Sequence, residues 1–194
     1  PRISDLAQRY LIALGSNRRH HRHGPPERVL GAALTALEAA GIKLKRLGPV
    51  IRSRPLGPSL RRYANSAAVV KCKLDPDELL AELQEIERSF GRRRGGQRWG
   101  TRVLDLDIVL WEGGAWSSPE LTIPHPRFRT RPFVLGPAAS IAPAWRDPLT
   151  GQTLRGWFSP GVSYTPSTLD LVAEAGFTYC ADLYHDDQPT RLNA

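Results

Sequence analysis

The chain has 194 residues, of which 41% are hydrophobic and 24% are charged, so it is long enough for one domain with a sizeable core. Its formal net charge of +8 favours an anionic partner, either nucleic acid or nucleotide phosphates. Because it contains neither a run of about 18 apolar residues nor an apolar secretory signal, we expect a cytoplasmic protein without a membrane span. The positions of Cys72 and Cys180 indicate neither a metal site nor a disulfide framework. The absence of methionine leads us to expect a fragment or a processed product.

The first apolar segment, residues 10–14, predicts a strand that runs into a turn of small residues, Gly15-Ser16-Asn17. Such a turn lets the backbone approach a ligand closely, and we expect it to expose Asn17 as a polar contact. The basic segment 18–24 follows, and its three histidines could ligate a metal or contact phosphate. We favour a solvated loop as the interpretation of that segment.

The elements that follow alternate between helix and strand signals. Each helix has proline at its first turn, an apolar stripe and a glycine at its end. The order strand, helix, strand, strand, helix, strand predicts an α+β, ferredoxin-like sandwich in which helices pack on an antiparallel sheet. The predicted elements are helices at 25–41 and 75–91, strands at 42–53, 63–74 and 103–110, and a rigid loop at 54–58.

An arginine-rich segment with glycines, residues 91–102, leads directly into the last of these strands. Alternate strand residues share a face, so Asp105 and Asp107 project side by side. Two carboxylates at that spacing can converge on one Mg²⁺ or hold two ions. The alternative is that they cap the sheet edge or pair with the arginines. We favour metal, because unpaired buried carboxylates are costly and arginines beside metal ions suit polyphosphate chemistry.

Three other features bear on a site. Gln84 and Glu87 are expected on the polar face of the second helix, pointing at whatever the arginine-rich segment binds. His125 is held rigidly between two prolines and could contact phosphate or donate a proton, although lone histidines are usually structural. Residues 145–154 predict a closing hairpin.

Seven motifs in this order resemble those of the 6-hydroxymethyl-7,8-dihydropterin pyrophosphokinases of folate biosynthesis. The resemblance covers residues 10–154 and is specific because several separate motifs occur at the right spacing. The motifs are ALGSN (13–17), RPLGP (54–58), YAN (63–65), IERSFGRR (86–93), RWGTRVLDLDIVL (98–110), LTIPHPRF (121–128) and RPFVLGPAASIAP (131–143).

The resemblance implies a ferredoxin-like fold and transfer of the β,γ-diphosphate of ATP to the hydroxymethyl oxygen of the pterin, with release of AMP. It implies that Asp105 and Asp107 hold two Mg²⁺ ions and that Arg92 and Arg102 meet the phosphates as catalytic residues. Segment 92–102 is expected to close as a lid over both substrates. No nucleic acid, membrane or obligate protein partner is expected, only ATP and the pterin.

The remaining site residues implied by the resemblance fall into two groups. The pterin is expected to stack between Tyr63 and Phe133, while Asn65 and the backbone of the loop read its edge. The loop residues are Pro55, Leu56 and Gly57. The ATP-binding residues are Gln84, Glu87, Arg94, Trp99, Ile108, Thr122, His125 and Arg131.

Residues 155–194 differ in character from the rest and resemble an internal piece of a polysaccharide deacetylase. The metal-binding motifs of those enzymes are missing, so deacetylase activity is not expected. We therefore divide the chain into a pyrophosphokinase domain at 1–154 and a foreign-looking tail at 155–194, with a divergent natural tail as the alternative. Within the tail, a helix at 165–176 and a strand at 177–183 are predicted.

Two other functional classes are compatible with part of the sequence. A basic ferredoxin-like nucleic-acid-binding module would explain the charge and the aromatic residues. It would not explain two aspartates in a strand beside a basic loop, because they would repel a phosphate backbone unless metal were bound. A carbohydrate deacetylase is supported by the tail alone.

Overall fold

The computed structural model describes residues 6–53, 61–92 and 102–154, and three two-residue strands further along the chain. The helices are α1 (Pro26–Ala39), α2 (Pro76–Ser89) and α3 (Pro132–Ile141), and a short 3-10 helix (Phe128–Thr130) precedes α3. The strands are β1 (Gln8–Ser16), β2 (Lys43–Leu47), β3 (Ile51–Ser53), β4 (Tyr63–Cys72), β5 (Asp105–Trp111), β6 (Trp116–Ser117), β7 (Thr122–Ile123), β8 (Gly156–Trp157), β9 (Tyr179–Cys180) and β10 (Thr190–Arg191).

The main sheet is antiparallel and has the strand order β2-β4-β1-β5, with β3 also paired to β4. The first and third strands of the predicted βαββαβ order are thus the central ones, and β5 lies at the edge. This is the arrangement of a ferredoxin-like α+β sandwich. The predicted fold class is confirmed.

Helices cover both faces of this sheet, so the molecule has two cores. The first core, against α1 and α2, includes Tyr10, Ile12 and Leu14 of β1. The second core, against α3, includes Leu11 and Ala13 of the same strand. Because successive strand residues point to opposite faces, a strand covered on both sides is a continuous apolar run.

Both predicted helices are confirmed, and the residues that start and end them act as expected. The Asp75 side chain accepts a hydrogen bond from the Glu78 N–H at 2.9 Å, and the Glu78 carboxylate accepts one from the Asp75 N–H at 2.9 Å. This capping box satisfies two free donors at the start of α2. Gly41 and Gly91 have φ of 79° and 86°, a left-handed conformation that glycine adopts at little cost and that ends each helix.

The predicted strand at 42–53 is wrong in one respect, because Gly48 and Pro49 divide it into β2 and β3. The Gly48 N–H donates to the Ala67 carbonyl at 2.8 Å, and a Cβ at Gly48 would lie 2.8 Å from the Pro137 carbonyl oxygen of α3. Pro49 has no N–H with which to continue the ladder. The strand is therefore interrupted where α3 approaches the sheet.

Two further elements differ from expectation. β1 continues through Ser16, so Gly15 and Ser16 are paired strand residues and the predicted turn is wrong. Helix α3 is missed by the sequence pattern because Pro137 stands inside it and its residues are apolar on nearly all sides, which leaves no amphipathic stripe.

Beyond residue 154, β8, β9 and β10 form a small separate sheet, with β8 parallel and β10 antiparallel to β9. β9 lies within the strand predicted at 177–183, whereas the helix predicted at 165–176 lies outside the described residues. The predicted closing hairpin is confirmed by the antiparallel bridge between Arg146 and Thr153. Among the described residues, no helix has the length and apolar character that a bilayer crossing requires.

The contact between Gly48 and α3 predicts a stability effect. We expect Gly48→Ala to lower the free energy of unfolding by about 1–3 kcal/mol, because the new methyl group would overlap backbone atoms of α3. Gly31→Ala is the matched control, since a Cβ at this position of α1 meets nothing within 4 Å. We expect it to raise the unfolding free energy by roughly 0.5–1 kcal/mol through helix propensity. Urea unfolding measures both; equal effects would contradict the packing argument.

Candidate active site

The strand register brings two predicted site residues, Asn65 and Asp105, into one row across the sheet. Gly15 of β1 is paired with Asn65 of β4 on one side and with Asp105 of β5 on the other. Since neighbouring strands are about 4.8 Å apart, the Cα atoms of Asn65 and Asp105 lie about 10 Å from each other. Ala13 of β1 and Asp107 of β5 are also paired, two residues along each strand from Gly15 and Asp105. Both therefore lie on the same face of the sheet as that row, the face covered by α3.

Gly15 forms the floor between these two polar groups. A Cβ at Gly15 would lie 3.2 Å from Asn65 Oδ1, 3.8 Å from Asp105 Cβ and 4.0 Å from Tyr63 Cδ1. Asn65 is 5% exposed, and its amide donates to Ser53 Oγ at 2.8 Å. The missing side chain of Gly15 therefore allows a ring, an amide and a carboxylate to approach the same point above the backbone.

Asp105 is the centre of an ion-pair cluster. Its Oδ1 accepts hydrogen bonds from Nη1 of Arg92 at 3.2 Å and from Nη1 of Arg102. Arg92 also pairs with Oε2 of Glu87. Arg92 and Arg102 precede and follow segment 93–101, so the residues on either side of that segment contact the same carboxylate. This contact matches the alternative interpretation of Asp105, in which it pairs with arginine.

Glu87 is buried, with 2% exposure, so its expected location on the polar face of α2 is wrong. Its Oε1 accepts the Leu106 N–H at 2.8 Å. Leu106 belongs to the edge strand, and the side chain of Glu87 thus satisfies a backbone donor of β5. Burial raises the pKa of Glu87 from 4.5 to about 7, against the opposing effects of the Leu106 N–H and Arg92.

Asn17 is also buried, with 2% exposure, which corrects the expectation of an exposed polar contact. Its N–H donates to the Arg102 carbonyl at 3.1 Å, and its Oδ1 accepts the Arg102 N–H at 2.8 Å. This reciprocal pair fixes the backbone of Arg102 just beyond the end of β1. Asn17 therefore positions an arginine instead of presenting its own amide to a ligand.

Asp107 lies beside His125 and Arg131. Its Oδ2 is 3.4 Å from Arg131 Nη1 and 3.8 Å from His125 Nε2. Loss of water raises the pKa of Asp107, and the charge of Asp105 raises it further. Burial lowers the pKa of His125 below its ordinary value, so the histidine is neutral near pH 7. The neighbouring carboxylates thus repel each other, which favours a cation between them.

The other predicted site residues differ in exposure and in the face of the sheet on which they lie. Gln84 and Thr122 are accessible, and Phe133 lies in the first turn of α3, 5.9 Å from the Arg131 guanidinium. Ile108 is 2% exposed, and its side chain packs in the first core, on the face opposite Asp107. Five predicted residues lie outside the described part of the chain, namely Pro55, Leu56, Gly57, Arg94 and Trp99.

The histidine segment is packed, so the expectation of a solvated loop is wrong for His20. His20 is buried, and its Nδ1 accepts the N–H groups of Arg22 and His23, each at 3.2 Å. The His23 ring stacks on Phe90 with centroids 4.9 Å apart. Among the described residues, no group of three or more His, Cys, Asp or Glu could hold a metal ion, so the alternative of a histidine metal site gains no support.

Sequence reasoning missed the positioning roles of Asn17 and Glu87, which depend on partners 85 and 19 residues away. Asn17 carries a weak signal, since it follows a buried strand directly. Glu87 carries one as well, because it adjoins Ile86 and lies four residues after Leu83, on the apolar side of α2. A charged residue beside an apolar stripe indicates a buried partner.

The raised pKa of Glu87 predicts how stability depends on pH. In the native state the carboxyl binds a proton more tightly than in the unfolded chain, so its stabilising contribution is complete below about pH 4.5 and is lost as the pH rises through about 7. Glu87→Gln removes this titration and keeps an acceptor for the Leu106 N–H. From about pH 5 to pH 8 we expect the variant to gain roughly 1–3 kcal/mol relative to the wild type.

Urea unfolding across this pH range measures the difference. Glu85→Gln is the control, because Glu85 is exposed on the same helix and pairs only with Arg88 among the described side chains. Its difference from the wild type should stay flat with pH. A flat difference for Glu87→Gln as well would contradict the raised pKa.

Comparisons with known proteins agree with the geometry. The profile of the family described as 7,8-dihydro-6-hydroxymethylpterin-pyrophosphokinase (HPPK) matches residues 11–143. A 2-amino-4-hydroxy-6-hydroxymethyldihydropteridine pyrophosphokinase of Synechocystis is 41% identical over 145 residues, covering 74% of this chain and 71% of the relative. The enzyme of the same name from Pseudomonas aeruginosa is 40% identical over 145 residues, covering 74% of this chain and 86% of the relative.

Among solved structures, Plasmodium falciparum HPPK-DHPS with SDX-DHP is similar in fold, with a TM-score of 0.59 and 12% identity. The match covers 77% of this chain and 43% of that larger chain. The fold and the relatives agree with the resemblance drawn from the sequence. The chain therefore belongs to the 7,8-dihydro-6-hydroxymethylpterin-pyrophosphokinase (HPPK) family.

Proposed function

We propose that this chain carries out the reaction of its family on the α3 face of the sheet, in the row formed by Asn65, Gly15 and Asp105. The reaction transfers the pyrophosphoryl group of ATP to 6-hydroxymethyl-7,8-dihydropterin and releases AMP. The observation that carries the assignment to this face is the strand register, which places Asn65 and Asp105 on either side of Gly15, with Tyr63 on the same face. This arrangement offers a ring and an amide to a bicyclic pterin and a carboxylate–arginine cluster to phosphate.

On the phosphate side, the arginines would bind the oxygens of ATP. Arg92, Arg102 and Arg131 each direct Nη1 at one of the two aspartates. Arg131 Nε is buried and has no hydrogen-bond partner among the described residues. Guanidinium groups bind phosphate in forked geometry, so a phosphate oxygen would satisfy this donor. Gln84, Thr122 and His125 would line the nucleotide, and Arg94 and Trp99 belong to the same proposal.

We propose that Asp105 and Asp107 hold two Mg²⁺ ions. Their oxygens are the ligands that Mg²⁺ prefers, and the charge of Asp105 already raises the pKa of Asp107, a repulsion that a divalent cation would relieve. The residues present therefore fit the metal. When bound, Mg²⁺ neutralises phosphate charge and orients the transferred group. When phosphate and metal bind, the arginines would exchange their carboxylate partners for phosphate oxygens.

On the pterin side, Asn65 and Tyr63 border the glycine floor, and Phe133 lies at the start of the helix that covers this face. We propose that the pterin stacks between the two rings and that Asn65 hydrogen-bonds its edge. The backbone of Pro55, Leu56 and Gly57 would complete the recognition of that edge. The bond between Asn65 and Ser53 Oγ fixes the amide, so its orientation is set before the substrate arrives.

Chemically, the pterin hydroxyl oxygen attacks the β-phosphorus of ATP, the bond from that phosphorus to the α,β-bridging oxygen breaks, and AMP leaves with this oxygen. The hydroxyl proton is released. Such transfers depend mainly on positioning and on charge stabilisation, which the aspartates and arginines are suited to provide. We assign no general base to this step.

We also propose that the catalytic domain ends near residue 154 and that the tail takes no part in the reaction. The family match ends at residue 143, and the closing hairpin with buried Leu154 completes the second core. The described strands of the tail pair only with one another among the described residues.

The metal assignment predicts a loss of rate in Asp107→Asn. We expect kcat to fall roughly 100- to 1,000-fold, because a neutral amide is a poor Mg²⁺ ligand. AMP formation from ATP, Mg²⁺ and the pterin, followed by chromatography, measures it. Glu112→Gln is the matched control: its carboxylate pairs with Arg9 away from the site, and the rate should be kept. Wild-type kcat in Asp107→Asn would contradict the metal role.

The glycine floor predicts a selective effect of Gly15→Ala. The methyl group would lie 3.2 Å from Asn65 Oδ1 and displace the amide by a few tenths of an ångström. We expect KM for the pterin to rise roughly 10-fold, equivalent to about 1.4 kcal/mol, with a smaller change for ATP. Steady-state kinetics with each substrate varied in turn separates the two effects, and Gly31→Ala serves as the control. A larger rise in KM for ATP would overturn this assignment of the pterin side.

A further inference from the structure

Glu87 makes contacts that the reaction as described does not use. Its two carboxylate oxygens contact different elements, since Oε1 accepts the Leu106 N–H at 2.8 Å and Oε2 pairs with Arg92 Nη1. Its carbonyl oxygen also accepts the Arg92 N–H at 3.1 Å. Glu87 thus holds Arg92 through both backbone and side chain. Through its contact with Leu106, it also links Arg92 to the start of strand β5.

We infer that Glu87 is a positioning residue that aims the Arg92 guanidinium at the phosphates and does not contact the nucleotide itself. The inference rests on the proposed function, because it requires that Arg92 binds phosphate. It also replaces the expectation that Glu87 lines the ATP site with an indirect role.

Burial and charge both argue against direct contact with ATP. The residue is 2% exposed, and both of its carboxylate oxygens already have partners in the protein. A carboxylate close to a triphosphate would also repel it. An indirect contact through the Arg92 guanidinium makes the interaction with the triphosphate attractive. The arginine presents positive charge to the ligand, while Glu87 contacts the arginine and not the ligand.

The geometry also explains why this position needs a carboxylate. Arg92 is shared between Glu87 and Asp105, because its Nη1 contacts both carboxylates. When Asp105 turns to another ligand, the ionised form of Glu87 still holds Arg92 in place. A glutamine would still accept the Leu106 N–H, but it would bind the guanidinium more weakly because hydrogen bonds to charged acceptors are roughly twice as strong. Arg92 would then sample more conformations, and fewer of them would meet the transition state.

A double-mutant cycle of Glu87→Gln and Arg92→Ala tests the inference. We expect Glu87→Gln alone to lower kcat about 10-fold with less than about a twofold change in KM for ATP. Arg92→Ala should lower kcat more strongly. In the Arg92→Ala background, Glu87→Gln should have no further effect on kcat, because the residue through which it acts is gone. Glu85→Gln, an amide exchange on the exposed face of α2, should leave the rate unchanged.

Four results would overturn the inference. Multiplicative effects of the two substitutions, or a rise in KM for ATP without a fall in kcat, would indicate that Glu87 meets the nucleotide directly. An unchanged kcat in Glu87→Gln, alongside a slow Arg92→Ala, would reject the positioning role and leave the proposed function intact. An unchanged rate in Arg92→Ala would instead reject both the positioning role and the proposed part of Arg92 in phosphate binding.

Discussion

The shared contact of Arg92 and Arg102 with Asp105 is the constraint on which the rest of the site depends. One carboxylate at the start of the edge strand binds the residues at both ends of segment 93–101. Behind them, Glu87 and Asn17 hold the two arginines from α2 and from the end of β1. Glu87 is buried and the other charged groups are partly exposed, so each depends in part on partners of opposite charge. Removing one member therefore changes the charge balance of the others.

This constraint also explains why the site lies on the α3 face of the sheet. The first face is filled by two helices and an apolar core, which leaves no room for unpaired charge. On the second face the apolar core contains Ala13 and Ala67, and the row beyond them contains Gly15 and Asn65. Because Ala13, Ala67 and Gly15 have small side chains or none, a flat ligand can lie close to the backbone there. The candidate site thus occupies the part of the sheet that the described helices leave uncovered.

Much of the fold follows from local signals in the sequence. The capping box at Asp75, the glycines that end both helices, and the two aspartates within a strand act over a few residues, and the structure confirms them. The errors arise where distant groups meet. Gly48 is a break because α3 approaches it, and Gly15 remains in its strand because neighbours on both sides pair with it. Helix α3 lacks an amphipathic stripe, and its pattern alone does not reveal it.

The motifs by themselves determined the family and the fold class, and they proposed the residues with catalytic chemistry, because chemistry requires particular side chains at particular spacings. Tertiary structure alone decided which groups act on others. Glu87 is distant from Leu106 in sequence and Asn17 is distant from Arg102, yet each pair is in hydrogen-bond contact. Whether a polar side chain faces a ligand or supports a neighbour depends on what covers it. Burial is a property of the assembled sheet and helices, which no local pattern contains.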